Sequence, residues 1–224
     1  MLKLHGFSAS NYYNIAKLAL LEKELPFEEV VVYTGAGPKY RPDYLDASPM
    51  GKVPVLETPD GFISESRCIV DYLERSHPER PLYPDDAFAV GKLLELTQVI
   101  DLYLELPVRR FIPYFFSGAK PPEAMLDEVA ATVEKAALAL GKLASFESFL
   151  LGDQFSAADL AGAVHFPLVR NIGGRFLGTD PLADVPGLVD YAERMAKRPH
   201  VERVRADSEA NMPEFVAHIT ALYT

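Results

Sequence analysis

Two short segments of the chain carry residue types whose order and spacing suit recognition of a small peptide-like molecule. In the first, Gly51-Lys-Val-Pro-Val-Leu-Glu57, a proline stands just ahead of an extended apolar run. Pro54 has no backbone N–H and cannot donate to a central ladder. It therefore belongs at a strand start, where neighbouring backbone groups stay free to pair with a ligand. In the second, Ile63-Ser-Glu-Ser-Arg-Cys-Ile-Val-Asp71, the residues Ser64, Glu65 and Ser66 open an amphipathic helix. The first N–H groups of a helix lack internal partners and carry partial positive charge, so a carboxylate docks there. A hydroxyl and an acidic side chain beside them complete an amino-acid clamp, with Glu65 holding the ammonium and Ser66 the carboxylate. Each segment alone also has a plain use, Val-Pro as an edge device and Ser-Glu-Ser as a cap. Their ordered pairing is what points to a ligand.

Other residues read as architecture. Ser156-Ala-Ala-Asp159 is a capping box: the serine hydroxyl accepts from the Asp159 N–H, the carboxylate accepts from the Ser156 N–H, and Phe155 staples onto Leu160. The histidines at 5, 77, 165, 200 and 218 lack the spacing of a metal pair or a catalytic triad, and they read as packing or surface residues. Cys68 stands beside Ile69 and Val70 and reads as a small buried hydrophobe. No metal is implied.

These segments are positioned by two kinds of element. Up to the proline-rich stretch His77 to Asp86, apolar strands alternate with helical patterns: strands at Leu2 to His5, Phe27 to Val32, Val53 to Glu57 and Gly61 to Ile63, helices at Ala16 to Glu24 and Ser66 to Arg75. Thr58-Pro-Asp-Gly61 is the turn between the last two strands. That order is an α/β domain around a mixed sheet. Ala87 to Phe116, Pro122 to Phe149, Ser156 to Val169 and Pro186 to Ala196 then read as helices, with Pro107 and Pro113 kinking or ending the first. The expected division is 1–77, a linker at 78–86, and an all-helical domain at 87–224.

Composition narrows the function classes. The 224 residues are 49% hydrophobic and 24% charged, which is globular rather than disordered composition. A formal charge of −10 disfavours nucleic acid and membrane surfaces as partners, since both are densely negative. A single cysteine makes no internal disulfide, which suits a reducing, cytoplasmic compartment. The first residues have no long apolar run and read as neither signal peptide nor membrane span.

The pair of motifs, Gly51-Lys-Val-Pro-Val-Leu followed by Glu65-Ser-Arg-Cys-Ile, resembles the glutathione-binding half of the glutathione transferase family. Ser156-Ala-Ala-Asp159 resembles that family's signature in its helical domain. Leu2-Lys-Leu-His-Gly-Phe, Leu18 to Phe27 and the proline linker extend the resemblance over nearly the whole chain. It implies a thioredoxin-like domain with a cis Val53–Pro54 bond, Val53 offering its backbone to the cysteinyl unit, Glu65 and Ser66 gripping the γ-glutamyl end, and Lys52 meeting the glycyl carboxylate. It further implies a donor after the first strand that favours thiolate over thiol. In Phe7-Ser-Ala-Ser-Asn-Tyr-Tyr-Asn14 the serine-type position, phi-like or of a related bacterial class, falls on Ser10, which is also the N-cap of the first helix. Ser8, Asn11, Tyr12 and Tyr13 compete for the role.

The resemblance also implies an apolar co-substrate pocket between the first helix region and the long first helix of the second domain. Tyr12, Tyr13, Phe111, Tyr114 and Phe115 are its candidate lining. It implies a homodimer as well, with the partner subunit's Asp101 reaching the glutathione. The expected function is glutathione S-transferase, the thiolate attacking an apolar electrophile or a peroxide. A non-enzymatic interaction module on the same fold is one alternative, and a glutathione-dependent isomerase or dehalogenase another. The absence of cysteine from the loop after the first strand disfavours the isomerase type.

Overall fold

The computed structural model describes residues 1–34 and 44–223. Buried Leu2, Leu4 and Gly6 alternate with half-buried Lys3 and His5, so Leu2–Gly6 forms a strand, β1, with one face to the core. Phe27–Val31 is β2, Val55–Thr58 is β3 and Gly61–Ser64 is β4. The sheet order is β2-β1-β3-β4, with β1 and β2 parallel and the other pairs antiparallel, the mixed sheet that the sequence implies. The Thr58 hydroxyl donates to the Gly61 carbonyl at 2.9 Å and accepts the Asp60 N–H at 3.2 Å, which closes the β3–β4 turn.

Asn11–Glu22 is α1 and Ser66–Ser76 is α2. Ile15, Leu18, Ile69 and Leu73 are fully buried along with Leu4 and Leu56 of the sheet. Lys23, at the end of α1, donates to the carbonyls of His77 and Arg80 and pairs with Glu74 at 2.7 Å, so one buried ammonium joins the exits of both helices. At Gly6 (φ 152°) an added Cβ would lie 2.3 Å from the Tyr13 ring, so only glycine lets α1 sit this close to the end of β1.

A helix absent from the sequence reading completes this part of the fold. Pro199–Tyr223, the terminal helix α10, has Pro199 at its first position, where a missing N–H is harmless, and carries Pro213 inside it. By contacts the chain divides into Met1–Pro81 with Arg198–Thr224, and Leu82–Lys197. The terminal helix, grouped by sequence with the helical residues 87–224, thus packs on the sheet-containing unit. Arg198 pairs with Glu22 at 2.8 Å, and Lys17, 1% exposed, bridges Glu29 at 2.7 Å and Asp207 at 2.8 Å.

The second unit is helical: α3 Ala87–Gln98, α4 Leu106–Arg109, α5 Ile112–Ser117, α6 Glu123–Leu143, α7 Ala157–Leu168, α8 Gly174–Leu177 and α9 Leu188–Ala196. Its first long helical run is interrupted as its prolines require. A wider π-type stretch spans Val99–Glu105, and Pro107 and Pro113 fall in the first turns of α4 and α5. The capping box at α7 forms and extends further than the sequence implies. Asp159 Oδ2 accepts from the Ser156 N–H and hydroxyl at 2.8 and 3.0 Å, and Oδ1 accepts from the Leu150 N–H and the Tyr191 hydroxyl at 2.9 and 3.0 Å. Phe155 packs edge-on against Phe149. Among the described residues, no helix is long and apolar enough to cross a membrane.

Candidate functional site

Strand register brings the two singled-out motifs to one end of the sheet. His5 pairs with Val55, and Val55 with Ser64. The end of β1, the start of β3 and the end of β4 therefore lie side by side. The loop that carries Ser10, the Val53–Pro54 peptide and the start of α2 are therefore neighbours, although they lie far apart in sequence. The Val53–Pro54 bond is cis. Its approach is held by Ser48, 1% exposed, whose hydroxyl donates to the Lys52 carbonyl at 2.8 Å and accepts the Lys52 N–H at 2.9 Å. Ser48 is a positioning residue that the sequence reading missed; its signal is faint, a serine four residues before the turn it closes. The Lys52 side chain is exposed, and Val53 packs beside Val32, Tyr44 and Val55.

At the start of α2, Glu65 has φ 69° and ψ 121°, a region that costs a non-glycine residue about 1–3 kcal/mol. Its side chain is exposed and makes no cap to the helix, while its carbonyl accepts from Ile69. A serine-glutamate start that served only as a cap would require none of this. The backbone instead turns the carboxylate out of the helix and buries Ser66 to 4% exposure beside it. Cys68 is exposed, not buried as its neighbours suggested. The inward face of α2 runs Ser66, Ile69, Val70 and Leu73, and Cys68 falls off that stripe.

Ser10 is the N-cap of α1, and its oxygen accepts the Tyr13 N–H at 3.5 Å. Capping uses the oxygen's lone pair, so the O–H hydrogen is left to donate elsewhere. The loop before it is tied at each residue. The Ser10 N–H reaches the Phe7 carbonyl at 3.0 Å, Asn14 Nδ2 donates to the Ser8 carbonyl at 2.8 Å, and the Ala9 N–H donates to Asn211 Oδ1 at 3.0 Å. Ser8, Asn11 and Tyr12 are half-buried in this region. Tyr13 is 1% exposed and its hydroxyl donates to Glu29 Oε2 at 2.6 Å, so its hydrogen points away from the loop. Burial, reinforced by that carboxylate, pushes its phenol far above the usual tyrosine value.

In the helical unit, Phe111 is a core residue, fully buried against Phe176, while Tyr114 and Phe115 keep part of their surface open. The Arg175 guanidinium lies 4.8 Å from the Phe115 ring centre. Asp101 is mostly buried, with Oδ1 3.4 Å from Nε2 of the buried His165. Among the described residues, no group of three or more His, Cys, Asp or Glu side chains is arranged to hold a metal ion.

A four-stranded mixed sheet with a cis-proline turn and an uncapped helix start defines a thioredoxin-like binding unit, here followed by a helical unit. Residues 4–81 match the family model of the glutathione S-transferase N-terminal domain, and residues 99–199 match that of the C-terminal domain. A glutathione S-transferase of Pseudomonas putida is 42% identical over 219 residues, 98% of each chain. Among solved structures, a glutathione S-transferase from Methylobacterium radiotolerans in complex with glutathione sulfonate aligns with TM-score 0.74 and 25% identity over 91% of this chain and 93% of its own. A zeta-class maleyl pyruvate isomerase shares the fold, with TM-score 0.72 and 22% identity over 90% and 95%. The chain belongs to the glutathione S-transferase family.

Proposed function

We propose that the chain binds glutathione at the cis-proline end of the sheet and transfers it to an apolar electrophile. The observation that carries this is Glu65, held at positive φ with its carboxylate turned out of a helix it does not cap, beside the Val53–Pro54 turn. In this reading Glu65 takes the ammonium of the γ-glutamyl unit, Ser66 and the first N–H groups of α2 its carboxylate, the Val53 backbone the cysteinyl amide, and Lys52 the glycyl carboxylate. The Ser10 O–H donates to the sulfur and lowers the thiol pKa from about 8.5, so that thiolate is present at neutral pH. The thiolate attacks the electrophilic carbon, a C–S bond forms, and the leaving group departs with its electron pair. Reduction of a peroxide by the same thiolate is a side activity of this arrangement.

The exposed apolar side chains of the helical unit, Leu94, Leu102, Tyr103 and Leu106, support a homodimer. The single, exposed cysteine suits the cytoplasm. A glutathione-dependent isomerase is the second reading, favoured by the fold shared with the zeta-class isomerase.

Calorimetric titration with glutathione tests the binding step, and turnover of chlorodinitrobenzene the transfer. Ser10→Ala is expected to bind glutathione as the native chain does, to lose on the order of a hundredfold in kcat, and to raise the pH at which activity appears. An unaltered rate profile would move the donor role to Tyr12 or another loop residue. No binding at millimolar glutathione would favour an interaction module.

A further inference from the structure

We infer that Asn211 of the terminal helix is a positioning residue for the Ser10 hydroxyl, an inference that rests on the reading of Ser10 as the donor to sulfur. The Tyr13 N–H holds the Ser10 oxygen only at 3.5 Å, the long end of the hydrogen-bond range, so the cap alone does not aim the hydroxyl. The segment just before it places the Ser10 backbone from which the hydroxyl departs, and the Ala9 N–H of that segment finds its acceptor 202 positions along the chain, in Asn211 Oδ1 at 3.0 Å. The other end of the same amide donates to the Tyr33 hydroxyl at 2.7 Å, just past β2. One amide satisfies both partners in one orientation only, oxygen to the loop and nitrogen to Tyr33.

Aromatic rings reinforce the grip. Phe7, which opens the loop, lies against Tyr33 at 5.0 Å and stacks on Phe215 at 4.9 Å, one helical turn beyond Asn211. Tyr33 stacks in turn on His218. The loop is thus clamped from β2 and from α10 together. Docking of the helix itself does not depend on Asn211, because Lys17–Asp207 and Arg198–Glu22 hold α10 independently. Removing the amide therefore loosens the loop and leaves the helix in place.

The test compares the full native chain with Ser10→Ala, Asn211→Leu and Asn211→Asp. Three measurements are made: the ultraviolet thiolate absorbance of bound glutathione against pH, steady-state kinetics (kcat and KM) with chlorodinitrobenzene, and the melting temperature. Asn211→Leu is expected to raise the apparent pKa of the bound thiol toward its free value and to lower kcat on the order of tenfold, as misplacement of a reacting group does, with little change in glutathione KM. Asn211→Asp, whose carboxylate still accepts the Ala9 N–H, is expected to recover most of both. If Ser10→Ala raises the thiol pKa while Asn211→Leu leaves it and kcat at native values, Asn211 only ties the helix and the inference fails. Equal losses in Asn211→Leu and Asn211→Asp would also overturn it. If Ser10→Ala itself leaves the thiolate titration unchanged, the donor reading falls, and this inference with it.

Discussion

Ser10 reconciles two roles that compete on paper. Capping draws on the oxygen as acceptor and the proposed thiol activation would draw on the hydrogen, so a single hydroxyl is able to serve both. Glu65 shows the reverse case, a residue that could cap but is turned away at a conformational cost. On the open side of the sheet, Glu57 accepts from Lys3 at 2.8 Å and shares 2.9 Å contact with His5. The hydrogen bond from Lys3, then that from His5, holds its carboxyl below the usual glutamate value of 4.5. A carboxylate lowered by folding adds stability that is present above its unfolded value and lost as pH falls through its folded one. Glu57→Gln should therefore melt below the native protein at neutral pH, with the gap closing as pH drops under 4.5. Melting curves across that range check it, and a gap that ignores pH would refute the assignment.

At the scale of elements, two close approaches decide geometry. Gly6 admits the Tyr13 ring to the end of β1, which fixes how α1 leaves the loop. Asp159 joins three segments, since its carboxylate receives donors from the start of α7, from Leu150 and from Tyr191 of α9. Burial pushes its carboxyl above the usual aspartate value while those four donors pull it back. Asp159→Ala leaves all four donors orphaned in the interior, so it should cost about 3 kcal/mol or more, above the ~1 kcal/mol of a simple cap. Urea denaturation measures this directly. A loss no larger than that of a cap would show that Leu150 and Tyr191 find other partners.

For the molecule as a whole, charge and chain ends matter most. The first eighty residues carry 9 basic and 12 acidic side chains and the rest 13 and 20, so the −10 total is shared as −3 and −7. The proposed anionic tripeptide would therefore be held by local donors and not drawn in by a basic field. The terminal helix closes the sheet-containing unit from outside the N-terminal sequence. A chain ending at Lys197 would strip Asp207 from the buried Lys17 ammonium and Asn211 from Ala9. Such a chain should lose about 3 kcal/mol or more of stability and expose the Ser10 loop to protease. Thermal melting and limited proteolysis test this, and native behaviour of both would make the helix dispensable.

What could be read along the chain was what is encoded within a few residues of itself. A short apolar segment marked β1, prolines marked the linker and the breaks at Pro107 and Pro113, and Ser156 with Asp159 marked a helix start. The motifs around Pro54 and Glu65 were legible for the same reason, each being a short pattern of backbone chemistry. Partners remote in sequence were not legible: Glu29 for Tyr13, Tyr191 for Asp159, Asn211 for Ala9, and the unit to which Pro199–Tyr223 belongs. Sterics, caps and periodicity act over one or two turns, whereas the meeting of residues 202 positions apart depends on how completed elements pack. The sequence pointed to Ser10 as a helix cap, and packing tied the loop before it to Asn211.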